Sequence, residues 1–433
     1  MEATKNKKIA KEPIIHIAKR TNVTFKHSFL SRFLAIIIAI IISAIFIQIS
    51  EGANIIDLVS SFIYGSFGNY PSFWVMIKET CILLGIALAL SLAFKMKYWN
   101  TGADGQTLVG CMAAYLILYF CVGKMPDFWV LTLALLASIL ASIIWSVIPA
   151  IFKAFFNTNE TLFTLMMNYV AIQLVSFFVN TYGKDNKLFT IDSVYLPMMH
   201  QYLTILIIVA LLVAFVTVYL KMTKHGYEIA VVGQSTSTAK YAGINVKWVI
   251  IRTLILSGVI CGIVGFVLTT GLNNTVSTTT LNGRGFTAII VAWLANFNPL
   301  FMILSSFFVI FIQRGGNQLL LNIGCTNAAI SGIITSIFFF SIIACTFFIN
   351  YRIIFKEGSR LERIANKIDE FFQKIGNFFI KINPFKKKTK EIVENNIEDF
   401  KNHEGIKENK EQLVVGDTNI SATVIEESKK EEE

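Results

Sequence analysis

Long runs of apolar residues alternate with short polar segments through most of the chain. A membrane-spanning helix needs about 20 apolar residues, and fewer where the helix is broken. By that measure, the apolar runs predict spans at residues 33–49, 73–94, 104–122, 128–152, 161–180, 202–220, 248–272, 286–295, 300–312 and 328–349. The run 286–295 is too short to cross alone, and a polar break at 296–299 separates it from the next run. The pattern therefore predicts an all-α polytopic membrane protein with about ten transmembrane helices, some of them short and broken.

The composition of the chain also favours a membrane protein. Of its 433 residues, 54% are hydrophobic and 15% are charged, whereas a soluble domain has roughly 25% charged residues. Residues 33–350 hold only 14 basic and 9 acidic side chains, too few to keep so much apolar surface in water. These values argue against a soluble domain, a disordered chain and a nucleic-acid-binding protein, so we expect membrane lipid, and no nucleic acid, as a partner.

The basic residues predict the orientation of the chain. The predicted inner segments 95–103, 153–160 and 221–252 carry eight Lys and Arg side chains, whereas the outer segments carry chiefly three Lys. Because Lys and Arg gather on the cytoplasmic side of membrane proteins, both termini are predicted to be cytoplasmic. Ten spans with both ends inside divide into two five-helix halves, which a duplication would place in inverted orientation.

Four regions follow from these patterns. Residues 1–32 form a basic cytoplasmic segment, and residues 33–350 form the transmembrane domain. In residues 351–390, apolar side chains recur at helical spacing among charges and a basic patch follows, which predicts an amphipathic segment along the inner membrane surface. Residues 391–433 are charged and poor in aromatic residues, so they are predicted to form a disordered cytoplasmic tail. A solvated appendage without a membrane role is the alternative for this whole C-terminal part.

The chain carries no sequence motif of an enzyme. It lacks the phosphate-binding loop G-x-x-x-x-G-K-[ST], the H-E-x-x-H motif and the G-x-S-x-G elbow. Its five histidines are dispersed, with no carboxylate or cysteine at ligand spacing. Its six cysteines form no C-x-x-C pair and are predicted to be small core residues. We therefore expect no catalytic residue, no metal site and no cofactor on this chain.

The first of three unusual polar segments, residues 98–106, opens the predicted third span. A carboxylate inside a membrane costs about 3 kcal/mol on insertion scales, so Asp104 should face protein or water rather than lipid. Gly102 and Gly105 permit the close approach of another helix, or irregular backbone. Two interpretations remain open: a lining for a solute path, and a helix start capped by Asn100 or Asp104.

The second polar segment, residues 157–169, opens the predicted fifth span. Residues 158–161 have the composition of an N-terminal cap. Thr161, Thr164 and Asn168 then recur three and four residues apart, so they share one helix face. Hydrogen bonding between helices and the lining of a solute path both explain this face.

The third polar segment is residues 221–247. Its middle, residues 233–245, is rich in small residues, compatible with a helix and ended by Gly243. It has no apolar face large enough for a core of its own, whereas small residues let another protein pack closely against it. A docking surface is therefore one interpretation, and a solvated loop is the other.

Five short motifs occur in order along the transmembrane region. They are Asn100-Thr-Gly-Ala-Asp-Gly-Gln106, Asn159-Glu160 with Met166-Met-Asn-Tyr169, Gly233 with Ala239-Lys-Tyr-Ala-Gly-Ile244, Gly285-Phe-Thr-Ala-Ile-Ile-Val-Ala-Trp293, and Arg314-Gly-Gly316. Over about residues 35–349 the chain thereby resembles the permease subunits of ATP-binding-cassette (ABC) importers, in the branch for nucleosides and simple sugars that is related to ribose and branched-chain amino acid importer permeases. It departs from the family pattern at Thr101, at Asp104 and at residues 235–238.

The resemblance implies a function and a set of partners. Two permease chains, identical or paralogous, would form the solute pathway in the bacterial cytoplasmic membrane. A cytoplasmic ABC ATPase subunit, which holds ATP and Mg, would drive transport, and an extracellular or periplasmic substrate-binding lipoprotein would deliver the solute. The few interior charges and the many Asn, Thr and Ser residues suit a neutral polar solute, a nucleoside or a simple sugar. An ion-coupled secondary transporter, which needs carboxylates near the midplane, and a non-transporting scaffold are the alternatives.

Candidate site residues follow from the motifs and from the resemblance. The ATPase-coupling loop would comprise Gly226, Gly233, Gln234, Ala239, Tyr241, Ala242, Gly243 and Ile244. The candidate translocation pathway would comprise Asn100, Gly102, Asp104, Gly105, Gln106, Asn168, Gly285, Phe286 and Trp293. Phe286, Trp293 or Tyr169 would be able to stack on a base, and Arg284 and Arg314 are predicted to lie near helix ends.

Overall fold

The computed structural model describes residues 15–19, 25–52, 54–183, 187–191, 194, 202–324, 327 and 329–355. These residues fall in two compact units: Ser31–Phe348, and the described parts of Met1–Leu30 and Ile349–Glu433. The first unit has bounds close to those predicted for the transmembrane domain. Residues 356–433, with the predicted amphipathic stretch and the charged tail, lie outside the described residues.

The described residues form two strands and thirteen α-helices. In chain order these are β1 (Ile15–Lys19), α1 (Phe25–Glu51), α2 (Ile55–Phe67), α3 (Tyr70–Lys95), α4 (Ala103–Cys121), α5 (Asp127–Phe156), α6 (Glu160–Tyr182), α7 (Leu203–Met222), α8 (Lys224–Gln234), α9 (Thr236–Tyr241), α10 (Val246–Leu268, extended by a π-helical turn, Thr269–Asn273), α11 (Arg284–Leu294), α12 (Pro299–Ile323), α13 (Ala329–Asn350) and β2 (Tyr351–Phe355).

Nine helices in the described part of the chain are long and apolar enough to cross a membrane: α1, α3 to α7, α10, α12 and α13. The shorter helices α2 and α11 are also apolar. The prediction of an all-α polytopic membrane protein with about ten spans is thereby confirmed. The inverted relation of its two halves stays a prediction.

The segment 50–72, between the first two predicted spans, was not predicted to be helical, but α2 occupies most of it. Leu58 and Phe62 of α2 pack in an apolar cluster with residues of α12 and α13. Gly65 allows the close approach of α12, since a Cβ there would lie 2.9 Å from the carbonyl oxygen of Arg314. Gly65 is of a type common in turns, but in the structure it allows α2 and α12 to pack closely.

The prediction that Arg314 lies near a helix end is wrong, because α12 continues to Ile323. Inside the helix, Arg314 Nε donates to the carbonyl oxygen of Gly65 at 3.1 Å. Its Nη1 lies 3.9 Å from Oε1 of Glu79 on α3. These partners compensate the charge, so the polar stretch after Ile312 does not interrupt the helix.

The helix α3 is the most enclosed span of the first unit. Every residue from Thr80 to Phe94 is buried, and α3 contacts α7, α10, α11 and α12. A helix that is apolar on all sides is expected to be surrounded by protein or lipid, and here protein surrounds it. This central position lets α3 support both α11 and the turn that leads into α4.

The second unit contains a two-stranded antiparallel sheet. Ile15 of β1 lies opposite Phe355 of β2, and Lys19 lies opposite Tyr351. Both segments are rich in β-branched and aromatic residues, which favour strands. The all-α prediction named no strand in residues 1–32 or 351–390, so β1 and β2 add to it.

Candidate functional site

The polar segment before α4 forms a buried network of hydrogen bonds. Asn100 Nδ2 donates to Gln106 Oε1, and Gln106 Nε2 donates to Asn100 Oδ1, each at 3.3 Å. Asn100 Oδ1 also accepts from the N–H of Gly102 at 3.0 Å. Asn100 and Gln106 are fully or almost fully buried. Protein groups thus satisfy polar atoms that water cannot reach.

The start of α4 is bonded to α6. Asn168 Nδ2 donates to the carbonyl oxygen of Thr101 at 2.7 Å, and Asn168 Oδ1 accepts from the N–H of Gly105 at 2.8 Å. The N–H of Thr101 donates to Thr164 Oγ1 at 3.1 Å. A Cβ at Gly105 would lie 2.8 Å from Asn168 Oδ1, so the glycine leaves the space that this bond needs. The interhelical hydrogen bonding predicted for this face of α6 is confirmed, and the lining of a path stays a prediction.

Asp104 joins α4 to α11. Its Oδ1 accepts from the N–H of Gly285 at 2.7 Å. Asp104 is only 7% exposed, so it faces protein, as predicted. The N–H groups in the first turn of a helix carry partial positive charge and favour a carboxylate. Asp104 lies in the first turn of α4 and accepts from the first turn of α11, so the N-terminal ends of two helices share one carboxylate.

The helix α4 has no side-chain cap of its own. Its N-cap residue is Gly102, and Asn168 of α6 supplies the acceptor for the N–H of Gly105. Neither Asn100 nor Asp104 is the N-cap residue of α4, although Asn100 Oδ1 accepts from the N–H of Gly102 just before the helix. The cap predicted for α6 is confirmed, because α6 begins after Asn159, whose Oδ1 accepts from the N–H of Leu162 at 3.2 Å.

An ion pair and a buried phenol border this network. Lys153 Nζ of α5 lies 2.8 Å from Glu160 Oε2 at the start of α6. Burial raises the pKa of the Tyr98 phenol, and the negative charge of Glu160 raises it further. Tyr98 is 3% exposed. The phenol therefore stays neutral at physiological pH.

The aromatic residues of α11 lie on an exposed face. Phe286 and Trp293 are 46% and 42% exposed and are seven residues apart, close to two helical turns. Trp99, in the turn before α4, contacts Trp293, with ring centroids 5.6 Å apart and an interplanar angle of 64°. Tyr169 is exposed on α6. The structure thus groups Phe286 and Trp293 with Trp99, which was not predicted, and places Tyr169 on a different helix.

Three buried serines of α5, Ser138, Ser142 and Ser146, also were not predicted. They donate to the carbonyl oxygens of Gly262, Gln106 and Leu254 at 2.7, 2.7 and 2.9 Å. Serines four residues apart, facing glycines four residues apart in α10, form the small-residue pattern that lets transmembrane helices pack closely. The four-residue spacing is visible in the sequence, and it would have identified the three serines as interface residues. The serines attach both α10 and the first turn of α4 to α5.

The predicted docking segment folds into the helical hairpin α8–α9. Gly226 and Gly233 of α8 lie against the backbone of other helices. A Cβ at Gly226 would lie 2.5 Å from the carbonyl oxygen of Leu220, and a Cβ at Gly233 would overlap the carbonyl oxygen of Lys95. Ala239 of α9 is fully buried. The two glycines hold α8 against α7 and α3, and α9 packs against α8 and α10.

The helix α9 ends in a turn that requires Gly243. Its φ is +75°, and the N–H groups of Gly243 and Ile244 donate to the carbonyl oxygens of Lys240 and Ala239, each at 3.0 Å. This pair of bonds is the Schellman motif, in which glycine is preferred after the C-cap. A Cβ at Gly243 would meet no atom within 4 Å. The glycine therefore serves the backbone conformation, and the predicted end of the helix is confirmed.

The remaining residues of the predicted coupling loop form the accessible part of the hairpin. Gln234 and Ala242 are exposed, Ile244 is half-buried, and the side chain of Tyr241 is 93% exposed. Tyrosine is enriched in protein contact surfaces. Docking at this surface stays a prediction.

Within the described ranges, no group of three or more His, Cys, Asp or Glu side chains is arranged to hold a metal ion. Cys81, Cys111 and Cys261 are buried free thiols, Cys121 is a half-buried one, and Cys345 is also buried. Cys325 lies outside the described residues. For the four buried cysteines, the predicted placement in the core is confirmed.

Comparison with known proteins finds sequences similar to this chain. It is 28% identical to the guanosine ABC transporter permease protein NupP of Bacillus subtilis over 54% of this chain and 71% of that protein. It is 24% identical to the nucleoside ABC transporter permease protein NupB of Lactococcus lactis over 65% of this chain and 82% of that protein. It is 26% identical to the glucose ABC transporter permease protein TsgB13 of Haloferax volcanii over 64% of this chain and 77% of that protein. No solved structure gives a significant match.

The model of one protein family covers most of the first structural unit. It is described as the branched-chain amino acid transport system / permease component, and it matches residues 72–346, more than half of the chain. The matched region includes the α4 start, the hairpin α8–α9 and the whole of α11. This chain therefore belongs to the family of permease components of branched-chain amino acid transport systems.

Proposed function

We propose that this chain is the membrane-spanning permease subunit of an ABC importer that carries nucleosides into the cell. The observation that carries the proposal is the family match over residues 72–346, joined to relatives named as guanosine and nucleoside ABC transporter permeases. The transport subunit itself has no ATPase site. The energy comes from ATP and Mg held by a separate ATPase subunit.

The interior of the first unit supports a neutral polar solute. Its buried polar side chains are mainly amides and hydroxyls, such as Asn100, Gln106 and Thr164. Among its described carboxylates, Asp104 is the most enclosed, and it accepts a hydrogen bond from the protein. A simple sugar is the second candidate solute, because one relative is named as a glucose permease. The relatives give no support to the ion-coupled alternative.

The hairpin α8–α9 is the proposed docking surface for the ATPase. It is short and is held to the bundle by small residues, and it presents Tyr241 and Gln234 outward. A rigid helix with an exposed anchor transmits movement better than a solvated loop. The other proposed partners are a second permease subunit, identical or paralogous, and a substrate-binding lipoprotein on the opposite side of the membrane.

The pairing of β1 with β2 supports the proposal that both termini are cytoplasmic. β1 precedes α1, β2 follows α13, and the two strands pair, as an arrangement with both termini on one side of the membrane would allow. An even number of crossings is then required, whereas the described residues contain nine long apolar helices. The short helix α11, with the stretch 274–283 before it, supplies the tenth crossing. In the proposed topology the Lys-rich segment 221–247 lies on the same side as the termini, and the positive-inside rule makes that side the cytoplasm.

The order of the helices supports two inverted halves. The long helices α3 and α10 are each followed by a break and then by a further helix, α4 or α11. These two further helices meet at their N-terminal ends. Broken helices that meet in this way are the arrangement around which inverted-repeat transporters build their pathways.

Reconstitution tests the proposal directly. Proteoliposomes that contain this chain, its partner permease, the ATPase and the binding protein should accumulate tritiated guanosine when ATP is present. Accumulation should need the ATPase subunit and should survive a proton uncoupler. Excess unlabelled adenosine or uridine should compete more strongly than glucose. Accumulation by the permease chain alone, driven by an ion gradient, would overturn the proposal, and competition by glucose alone would assign the sugar instead.

A further inference from the structure

The contact between Asp104 and Gly285 joins helices of two sets, and α10 packs against members of both sets. On one side, α4 is bonded to α5 through Ser142 and to α6 through Asn168. On the other side, α11 packs against α3 and α12 and is bonded to α12 through Ser305, which donates to a carbonyl oxygen of α11 at 3.1 Å. Among the described residues, the bond from Gly285 to Asp104 is the only hydrogen bond between α4 and α11.

The close contact between the first turns of α4 and α11 requires a glycine at position 285. A Cβ at Gly285 would lie 2.8 Å from the Asp104 nitrogen, Cγ and Oδ1, so any side chain there would separate the two helices. The carboxylate lies in the first turn of α4 and accepts from the first turn of α11, where both helices favour negative charge. The result is a short, buried bond of 2.7 Å that fixes the two helix ends against each other.

We propose that Asp104 is a positioning residue for transport: its carboxylate holds the first turn of α11 against the first turn of α4, and transport moves α11 relative to α4 across this contact. The inference rests on the proposed function, because a pathway that opens to each side in turn must move one group of helices against another. A single bond between the two sets can break and form again in each cycle. The amide network between α4 and α6 cannot do so without leaving several buried groups unsatisfied.

Substitution of Asp104 in the reconstituted transporter tests the role. Asp104→Ala should lower guanosine uptake per ATP hydrolysed by about tenfold, which is the scale of one lost hydrogen bond. Asp104→Asn keeps an oxygen acceptor of the same shape and should stay within about threefold of the native protein. Asp127→Ala, which removes an exposed carboxylate from the first turn of α5, is the matched control and should change nothing.

Three results would overturn the proposal. The first is unchanged uptake per ATP in Asp104→Ala. The second is an equal fall of uptake and ATP hydrolysis, which a purely structural role would give. The third is an Asp104→Asn protein as impaired as Asp104→Ala, because the bond geometry would then not be what matters.

If Asp104→Ala does not assemble, a second pair of variants tests whether the contact between α4 and α11 matters for transport. Gly285→Ala keeps both the carboxylate and the N–H but places a methyl group 2.8 Å from Asp104 Cγ, so it should show the same loss of uptake per ATP. Gly332→Ala in α13, where a Cβ meets no atom within 4 Å, should behave as the native protein. Native behaviour of both variants would overturn the proposal.

Hydrogen–deuterium exchange separates this proposal from the choice of solute. In the native complex, the amides of residues 285–287 should exchange at different rates without nucleotide and with ATP and vanadate, whereas the amides of residues 164–168 should not. If guanosine is not taken up and this difference is present, the nucleoside assignment fails and the positioning role stands. Equal exchange at residues 285–287 in a complex that hydrolyses ATP would overturn the positioning role.

Discussion

Glycines serve different purposes in the interior of the bundle and in the hairpin α8–α9. At the interface of α5 and α10, Gly262 has a helical backbone, but a Cβ there would lie 2.6 Å from the Cα of Ile139. At the end of α9, Gly243 has a φ of +75° and open space where a Cβ would be. The interior is thus constrained by the distance between helices, and the hairpin by the conformation of its backbone. The same kind of substitution should therefore cause different losses in the two regions.

The largest effect is expected from Gly262→Ala. Alanine is the better helix former, but its methyl group would force α5 away from α10 and disturb the bond from Ser138 to the carbonyl oxygen of residue 262. Overpacking of this kind should lower the free energy of unfolding by about 2 kcal/mol. Thermal unfolding of the purified protein in detergent measures the change.

The matched control for this prediction is Gly332→Ala. This glycine also lies in a long apolar helix, but its Cβ would meet no atom within 4 Å. The substitution should raise the free energy of unfolding by about 0.5 kcal/mol, because alanine restricts the unfolded chain. Equal changes in both variants would show that close packing does not constrain Gly262.

The long apolar runs could be located from sequence because the length of an apolar segment is a local property. The start of α4 was also recognisable, since Asp104 between two glycines is costly in a membrane without a partner. Its partner was not predictable, because Gly285 lies 181 residues away and contributes only a backbone N–H. The sequence offers many such donors and no side chain to distinguish this one.

Two other elements escaped prediction because distant contacts determine them. The helix α2 contains Asp57 and Gly65, which suggest a turn, but it is stabilised by α12, with a hydrogen bond from Arg314 to Gly65 across 249 residues. The strands β1 and β2 lie in segments whose sequences suggest a polar or an amphipathic region. They form a sheet because they pair with each other. Local propensity is a weak guide when tertiary contacts decide the conformation.

A smaller effect on folding is expected from Gly243→Val. Valine at a positive φ should cost about 1 kcal/mol, and the loss should be confined to the end of α9 because no neighbour is displaced. If the hairpin couples ATP hydrolysis to transport, uptake per ATP should nevertheless fall, since the altered turn would no longer seat on the ATPase. Gly243→Asn is the control, because asparagine tolerates a positive φ and should retain most of the coupling. Native coupling in Gly243→Val would argue against the proposed role of this turn.

The smallest effect on stability, and the sharpest test of the hairpin, is expected from Tyr241→Ala. Because the side chain is 93% exposed, its loss should change the free energy of unfolding by less than about 0.5 kcal/mol. As an anchor in an interface, however, a tyrosine can contribute about 2 kcal/mol of binding energy, so the affinity for the ATPase subunit should fall at least about tenfold. Titration of the ATPase into nanodiscs that hold the permease measures this affinity, with Tyr182→Ala, an exposed tyrosine at the far end of α6, as the control. Little loss of stability together with a large loss of affinity would identify the surface around Tyr241 as the contact with the ATPase. Equal affinity of Tyr241→Ala and Tyr182→Ala would show that the ATPase binds elsewhere on the chain.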